Sequence, residues 1–179
     1  KSTILPNGVN TNLFRPITKD FRQELGLHAD KIYILFLGNR DKPIKNFTLA
    51  NSAVALLNMP DVELINPYPL DHADIPSYLN SVNVLVVPSI MEGSPNVVKE
   101  AMACNCPIVA TDVGDIKWVI GDTNGCYLSD FNPNEFASKL KLAIAYSRDS
   151  GRTNGINRIN ELGLSAEDVA NKLINIYNS

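Results

Sequence analysis

Apolar positions along the chain come in short continuous runs, and stretches with helical spacing lie between them. Lys31 to Leu37 is an apolar, β-branched and aromatic run that stops at Gly38, which reads as a buried strand. Asn46 can cap a following helix with Phe47, Ala50, Val54 and Leu57 on one stripe, and Pro60 ends it. Val62 to Ile65 reads as a short strand, and the proline-bracketed Asn66-Pro67-Tyr68-Pro69-Leu70-Asp71 as a rigid loop. The same reading gives a short helix over Ala73 to Asn80 and strands at Val82–Val87, Pro107–Ala110 and Gly125–Leu128. Pro133 to Arg148 is a helix with Phe136, Leu140 and Ile144 inward, and two further helical stretches run near Gly151–Glu161 and Ala166–Asn178. Lys1 to Leu5 reads as a strand entering mid-fold. Strands alternating with helices predict βαβ units with right-handed crossovers and a parallel sheet covered on both faces. No internal repeat or low-complexity tract interrupts the pattern.

Composition adds bounds. The 179 residues are 45% hydrophobic and 20% charged, ordinary for one globular domain. A net charge of −3 gives no electrostatic case for nucleic acid or an anionic membrane. No apolar run approaches a membrane span, and no signal peptide is evident, which fits a cytoplasmic protein. The 3 cysteines include the close pair Cys104 and Cys106, with no second ligand pair at zinc spacing, so small buried thiols in a reducing compartment are expected.

The chemistry concentrates at Ser89–Ala103. The segment leaves the Val82–Val87 strand and enters a helix whose start is marked by Ser94 as a cap and Pro95 at the first helical position. Glu92 falls on the loop at the carboxyl end of the strand. Asn96 and Glu100 are four apart and share a helical face. The spacing of the two glutamates is a weak signal alone. Its context is stronger, because open α/β sheets bind ligands at the carboxyl ends of their strands, and helix N-termini attract anions. A polyhydroxy ligand bearing phosphate would use backbone donors for the phosphate and carboxylates for the hydroxyls.

A second candidate is Gly38-Asn39-Arg40-Asp41-Lys42-Pro43-Ile44-Lys45-Asn46, which sets three cations between a strand end and a helix start. As a group they read as an anion site. Tyr68 can stack on a base or be a half-buried loop aromatic. Gly114, in Asp112-Val113-Gly114-Asp115, either brings backbone close to a ligand or only makes the turn. His28 and His72 read as surface residues and Trp118 as core. The dinucleotide and Walker A glycine fingerprints are absent.

The segment Glu92-Gly93-Ser94-Pro95 with Lys99-Glu100-Ala101-Met102-Ala103 resembles the Glu-x7-Glu signature of the family 4 retaining glycosyltransferases, which have the GT-B fold. Pro107 to Gly114 downstream and Leu5-Pro6-Asn7-Gly8-Val9-Asn10 with Phe14-Arg15-Pro16 upstream extend the resemblance over nearly the whole chain. It implies a Rossmann-like α/β domain, the carboxyl-terminal, donor-binding half of a longer enzyme, with a nucleoside diphosphate sugar such as a UDP-sugar as substrate. Within it Glu100 would accept from ribose hydroxyls and Glu92 from sugar hydroxyls. Gly93, Ser94 and Asn96 would line the sugar and phosphate, and Gly8 and Tyr68 would complete donor binding. Arg40 and Lys45 would neutralise the departing diphosphate in place of a metal, so no metal or cofactor is expected. Many members carry the Arg directly after Gly38, where this chain has Asn39, so either Arg40 or Lys42 can supply that charge. The acceptor site would lie in an amino-terminal domain, leaving residues 1–179 able to bind donor and unable to transfer sugar. The resemblance further allows membrane-surface association of the full-length enzyme, of the kind met in bacterial glycan biosynthesis. Two alternatives stay open: a non-catalytic nucleotide-sugar-binding module, or a GT-B-type epimerase using the same donor.

Overall fold

The computed structural model describes residues 5–178. The expected strand at Lys1–Leu5 therefore lies almost wholly outside the described residues. Five strands, β1 (Ile32–Phe36), β2 (Val62–Ile65), β3 (Val84–Val87), β4 (Ile108–Thr111) and β5 (Cys126–Ser129), form one sheet. All pairs are parallel and the order is β2-β1-β3-β4-β5. The helices are α1 (Phe47–Leu57), α2 (Ile75–Ser81), α3 (Asn96–Ala103), α4 (Ile116–Ile120), α5 (Pro133–Ser150), α6 (Gly155–Leu162) and α7 (Ala166–Tyr177). The fold class is the expected one, an α/β Rossmann-like layer sandwich.

The two faces of the sheet carry separate cores, set by the period-2 alternation of strand side chains. Ile32, Ile34 and Phe36 of β1 face Leu49, Ala50 and Leu57 of α1 and Phe136, Leu140 and Ile144 of α5. Tyr33 and Leu35 face the opposite core, with Leu79 of α2, Val98 and Met102 of α3, Val119 of α4 and Ile159 of α6. β1, β3 and β4 are buried throughout and form the centre, which is why they read as continuous apolar runs.

Several local expectations are corrected. The buried stripe of α1 is Leu49, Ala50, Ala53 and Leu57, while Phe47 and Val54 are only partly covered. The inward face is rotated because α1 packs on α5 as well as on the sheet. Asn46 does not cap α1 with its side chain. It adopts the left-handed conformation (φ 51°) that closes the 3-10 turn Pro43–Lys45. Helix α1 ends before Pro60, at the left-handed Asn58. Trp118 is not core but 45% exposed, because α4 is a single short turn of helix that buries Ile116, Val119 and Ile120 instead.

Close backbone packing explains two glycines. A Cβ at Gly155 would stand 2.9 Å from the Met102 Cα, so α6 reaches α3 backbone to backbone. A Cβ at Gly8 would stand 2.8 Å from the Ala166 Cα, where Val9 exchanges backbone hydrogen bonds with Leu164 and Ala166. Helix α7 buries none of its residues fully.

Candidate functional site

Where strand order reverses, the loops leaving the carboxyl ends of adjacent strands diverge and open a crevice. Here that point is between β1 and β3. The loop after β1 passes Gly38 and a turn in which the Asn39 side chain accepts from the Asp41 N–H at 2.9 Å, then enters the Pro43–Lys45 turn. The Asn66 amide braces it from below, donating to the carbonyls of Phe36 and Gly38, both at 3.0 Å. The loop after β3 is tied to it by the Ile90 N–H donating to the Ile44 carbonyl at 2.9 Å.

Across this junction Lys45 Nζ donates to Glu92 Oε1 at 2.6 Å, and the Ser89 hydroxyl donates to the same oxygen at 2.8 Å. The two residues singled out from separate motifs thus form one ion pair. Glu92 Oε2 takes no hydrogen bond among the described residues. Arg40 and Lys42 stand exposed on the same loop, with no ion pair among the described residues.

Glu100 sits on α3 with its side chain 8% exposed, and Oε1 lies 2.9 Å from His72 Nε2. His72 is exposed, as expected, but it is also the partner of Glu100 and packs edge-on against Phe14 at 5.1 Å. Glu100 lines a hollow of ≈ 220 Å³ with Gly38, Tyr68 and Val97, so the tyrosine of the proline loop and the helix carboxylate share one recess. Tyr68 is 54% exposed there. Asn96 is exposed at the start of α3, on the Glu100 face.

Gly93 and Ser94 border a larger, mostly apolar cavity of ≈ 820 Å³, with Pro6, Asn7, Asp115, Trp118 and Leu164. Gly8 packs against Ser165 and Ala166, while its neighbours Pro6 and Asn7 face that cavity. The cap assigned to Ser94 is not made, since Pro95 is the N-cap of α3 and no side chain caps it. Charged partners take the hydroxyl instead: Ser94 Oγ donates to Asp115 Oδ2 at 2.5 Å and accepts from Lys99 Nζ. Gly114 (φ 59°) makes the turn, and its close approach is to backbone: a Cβ would collide with the carbonyl oxygens of Glu92 and Gly93.

Sequence reasoning passed over Lys99. Its side chain is fully buried, and burial pushes the ammonium below its ordinary value against the opposing pull of Asp115. The signal was available, because a lysine inside the apolar run of α3 demands a carboxylate partner. The cysteines are free; burial raises Cys104 and Cys126 to about 12 and drives Cys106 upward too, which disfavours the thiolate form of each. No helix among the described residues is long and apolar enough to cross a membrane.

The fold is a Rossmann-like domain whose crevice offers cations, carboxylates and a flat aromatic. Residues 28–145 match the family described as glycosyl transferases group 1, and the chain belongs to that family. It is 33% identical over 121 residues to an uncharacterized glycosyltransferase of Methanocaldococcus jannaschii, an alignment covering 67% of this chain and 32% of the relative. Among solved structures it resembles a sucrose-phosphate synthase from Thermosynechococcus elongatus, with a TM-score of 0.83 and 25% identity over 97% of this chain and 51% of that one. It shares its fold with the Anabaena protein HepE, solved in complex with UDP-glucose, with a TM-score of 0.79 and 18% identity over 98% of this chain and 57% of that one. The chain spans about a third to a half of the length of the curated relatives it matches.

Proposed function

We propose that this chain is the donor-binding half of a retaining glycosyltransferase that moves a sugar from a nucleoside diphosphate to an acceptor. The observation that carries the reading is the Lys45–Glu92 pair at the point where strand order reverses, with Glu100 and Tyr68 lining the hollow beyond Gly38. The UDP-glucose bound by HepE, whose fold this chain shares, supports the same ligand class.

On this reading Tyr68 offers its ring to the base, and Glu100 accepts from the ribose hydroxyls. Asn96, Gly93 and Ser94 meet the phosphates and sugar at the start of α3. Glu92 Oε2 accepts from sugar hydroxyls while Oε1 stays with Lys45 and Ser89. When the bond from the anomeric carbon to the diphosphate breaks, its electron pair remains on the phosphate oxygen. Lys45, with Arg40 or Lys42, meets that charge, a preorganised electrostatic role that needs no rearrangement at the moment of reaction. Arg40 would grip two phosphate oxygens, whereas Lys42 would act as a point charge. The acceptor and its positioning groups belong to the amino-terminal domain of the full-length enzyme.

A thermal-shift panel of UDP-, GDP- and ADP-sugars tests this, because a ligand that binds only the folded state raises the melting temperature. One class of nucleotide sugar should stabilise the chain more than its plain nucleotide does, and the full-length enzyme should transfer from that donor. No shift with any nucleotide sugar at millimolar concentration would overturn the reading.

A further inference from the structure

Three contacts fasten the loop of Glu92 to the turn after β4. The Asp115 N–H donates to the Gly93 carbonyl at 3.0 Å. Gly114 presses on the Glu92 and Gly93 carbonyls so closely that no side chain fits. The Ser94 hydroxyl donates to Asp115 Oδ2 at 2.5 Å.

Beneath all three lies Lys99, which the donor reading does not use. Its side chain has 0% exposure, and Nζ donates to Ser94 Oγ and stands 3.8 Å from Asp115 Oδ2. Asp115 Oδ1 is buried and takes no hydrogen bond among the described residues, so the charge of Asp115 is met on one oxygen only, by Ser94 and Lys99. For stability alone an apolar residue would serve this position as well, because a buried ion pair gains little over good packing. What the pair adds is direction: it ties a loop that carries a site residue to a second strand end.

We propose that Lys99 is a positioning residue for the sugar, holding Glu92–Pro95 against the Val113–Asp115 turn through Ser94 and Asp115. This rests on the reading of Glu92 as the sugar-facing carboxylate. The ammonium touches no ligand. It sets where Gly93 and Ser94 lie, and through them the angle from which Glu92 reaches a sugar hydroxyl.

The test pairs two measurements on the chain, hydrogen exchange without ligand and calorimetry with UDP and UDP-glucose. Lys99→Met alone leaves the partly buried Asp115 carboxylate without its cation and can unfold the protein. Lys99→Met/Asp115→Asn removes both charges and keeps the fold. In that variant the amide of residue 115 should exchange at least about tenfold faster, while β4 amides hold their protection, the loss of a hydrogen bond to a charged group being of that size. The preference for UDP-glucose over UDP should fall by a similar factor, about tenfold, with UDP itself unaffected. Ser94→Ala should lower the preference too, and its effect should shrink in the Lys99→Met background if that variant folds, since the part of it that runs through Lys99 is then already lost. A variant that keeps the wild-type preference, whether or not its amide opens, overturns the role of Lys99 alone. A wild-type chain that binds UDP-glucose no tighter than UDP overturns the sugar role of Glu92, and the role of Lys99 with it.

Discussion

Replacing each glutamate of the pair by alanine should separate the nucleotide from the sugar. Glu100 is nearly buried, its side-chain partner His72 is largely exposed, and the hollow it lines has room for a small ring system. A hydrogen bond to such a charged group contributes about 1.5–3 kcal/mol. At tenfold per 1.4 kcal/mol, Glu100→Ala should weaken UDP by roughly 10- to 150-fold. Freed His72 turns to water at little cost. Glu92→Ala acts differently because Lys45 loses its partner at 2.6 Å. The released ammonium is free for the diphosphate, so UDP affinity should hold or rise by up to about fivefold, the worth of a partly exposed ion pair. UDP-glucose should then lose its advantage over UDP. Calorimetry of both ligands against both variants at one ionic strength reads all four values. Equal losses of UDP in the two variants would refute the division of roles, and so would an unchanged UDP affinity in Glu100→Ala.

If the basic loop holds a diphosphate, affinity for UDP should fall steeply with added salt, and the slope should flatten in Lys45→Ala while plain uridine ignores the mutation. A slope lost in Arg40→Ala but kept in Lys42→Ala would identify the second phosphate cation. Alkaline stability should follow the thiols: the folded state keeps Cys104 and Cys126 protonated to about 12, whereas the unfolded chain releases those protons from about 9, so stability is lost as pH rises through that window. Each thiol should cost on the order of 1 kcal/mol by pH 10, opposed in part by Lys99, whose lowered value favours the fold as pH rises; a denaturation midpoint that holds or rises between pH 8 and 10 would overturn the dominance of the thiols. The 179-residue chain should bind donor and transfer no sugar, since positioning of the acceptor supplies much of the rate, and measurable transfer would place the acceptor site within these residues.

The strands were legible because a parallel sheet covered on both sides writes itself as continuous apolar runs, and β1, β3 and β4 are fully buried. The positions of Glu92 and Lys45 on loops after strands and of Glu100 on the helix that follows were legible, because each apolar run ends just before them or the helical spacing from Asn96 carries on to Glu100. The joining of Lys45 to Glu92 was not, since 47 residues separate them and only the β2-β1-β3 order brings their loops together. His72 reaches Glu100 for the same kind of reason, across a loop with no helical or strand periodicity to read. The caps failed because Ser94 and Asn46 are good capping types whose backbones are used otherwise: one hydroxyl is taken by Asp115 and Lys99, and one residue turns left-handed. Trp118 misled because a large apolar side chain suggests core, whereas here it walls a cavity.

Both glutamates are paired within the chain, Glu92 with Lys45 and Ser89, Glu100 with His72. An unpaired carboxylate at such low exposure would weigh on the fold by several kcal/mol. Internal partners remove that burden, so on the proposed reading a donor exchanges bonds rather than making them from nothing. The exchange is easy at Glu100, because His72 is exposed and water can take it over. It is harder at Glu92, whose Oε1 is held twice and whose loop is pinned through Ser94 and Asp115 to the next strand. On the proposed reading, the nucleotide is met by a side chain that gives up its partner, and the sugar by one that stays fixed. Such an asymmetry would suit the proposed transfer: the nucleotide and its phosphates would enter and leave, while the group proposed to face the sugar would keep its place.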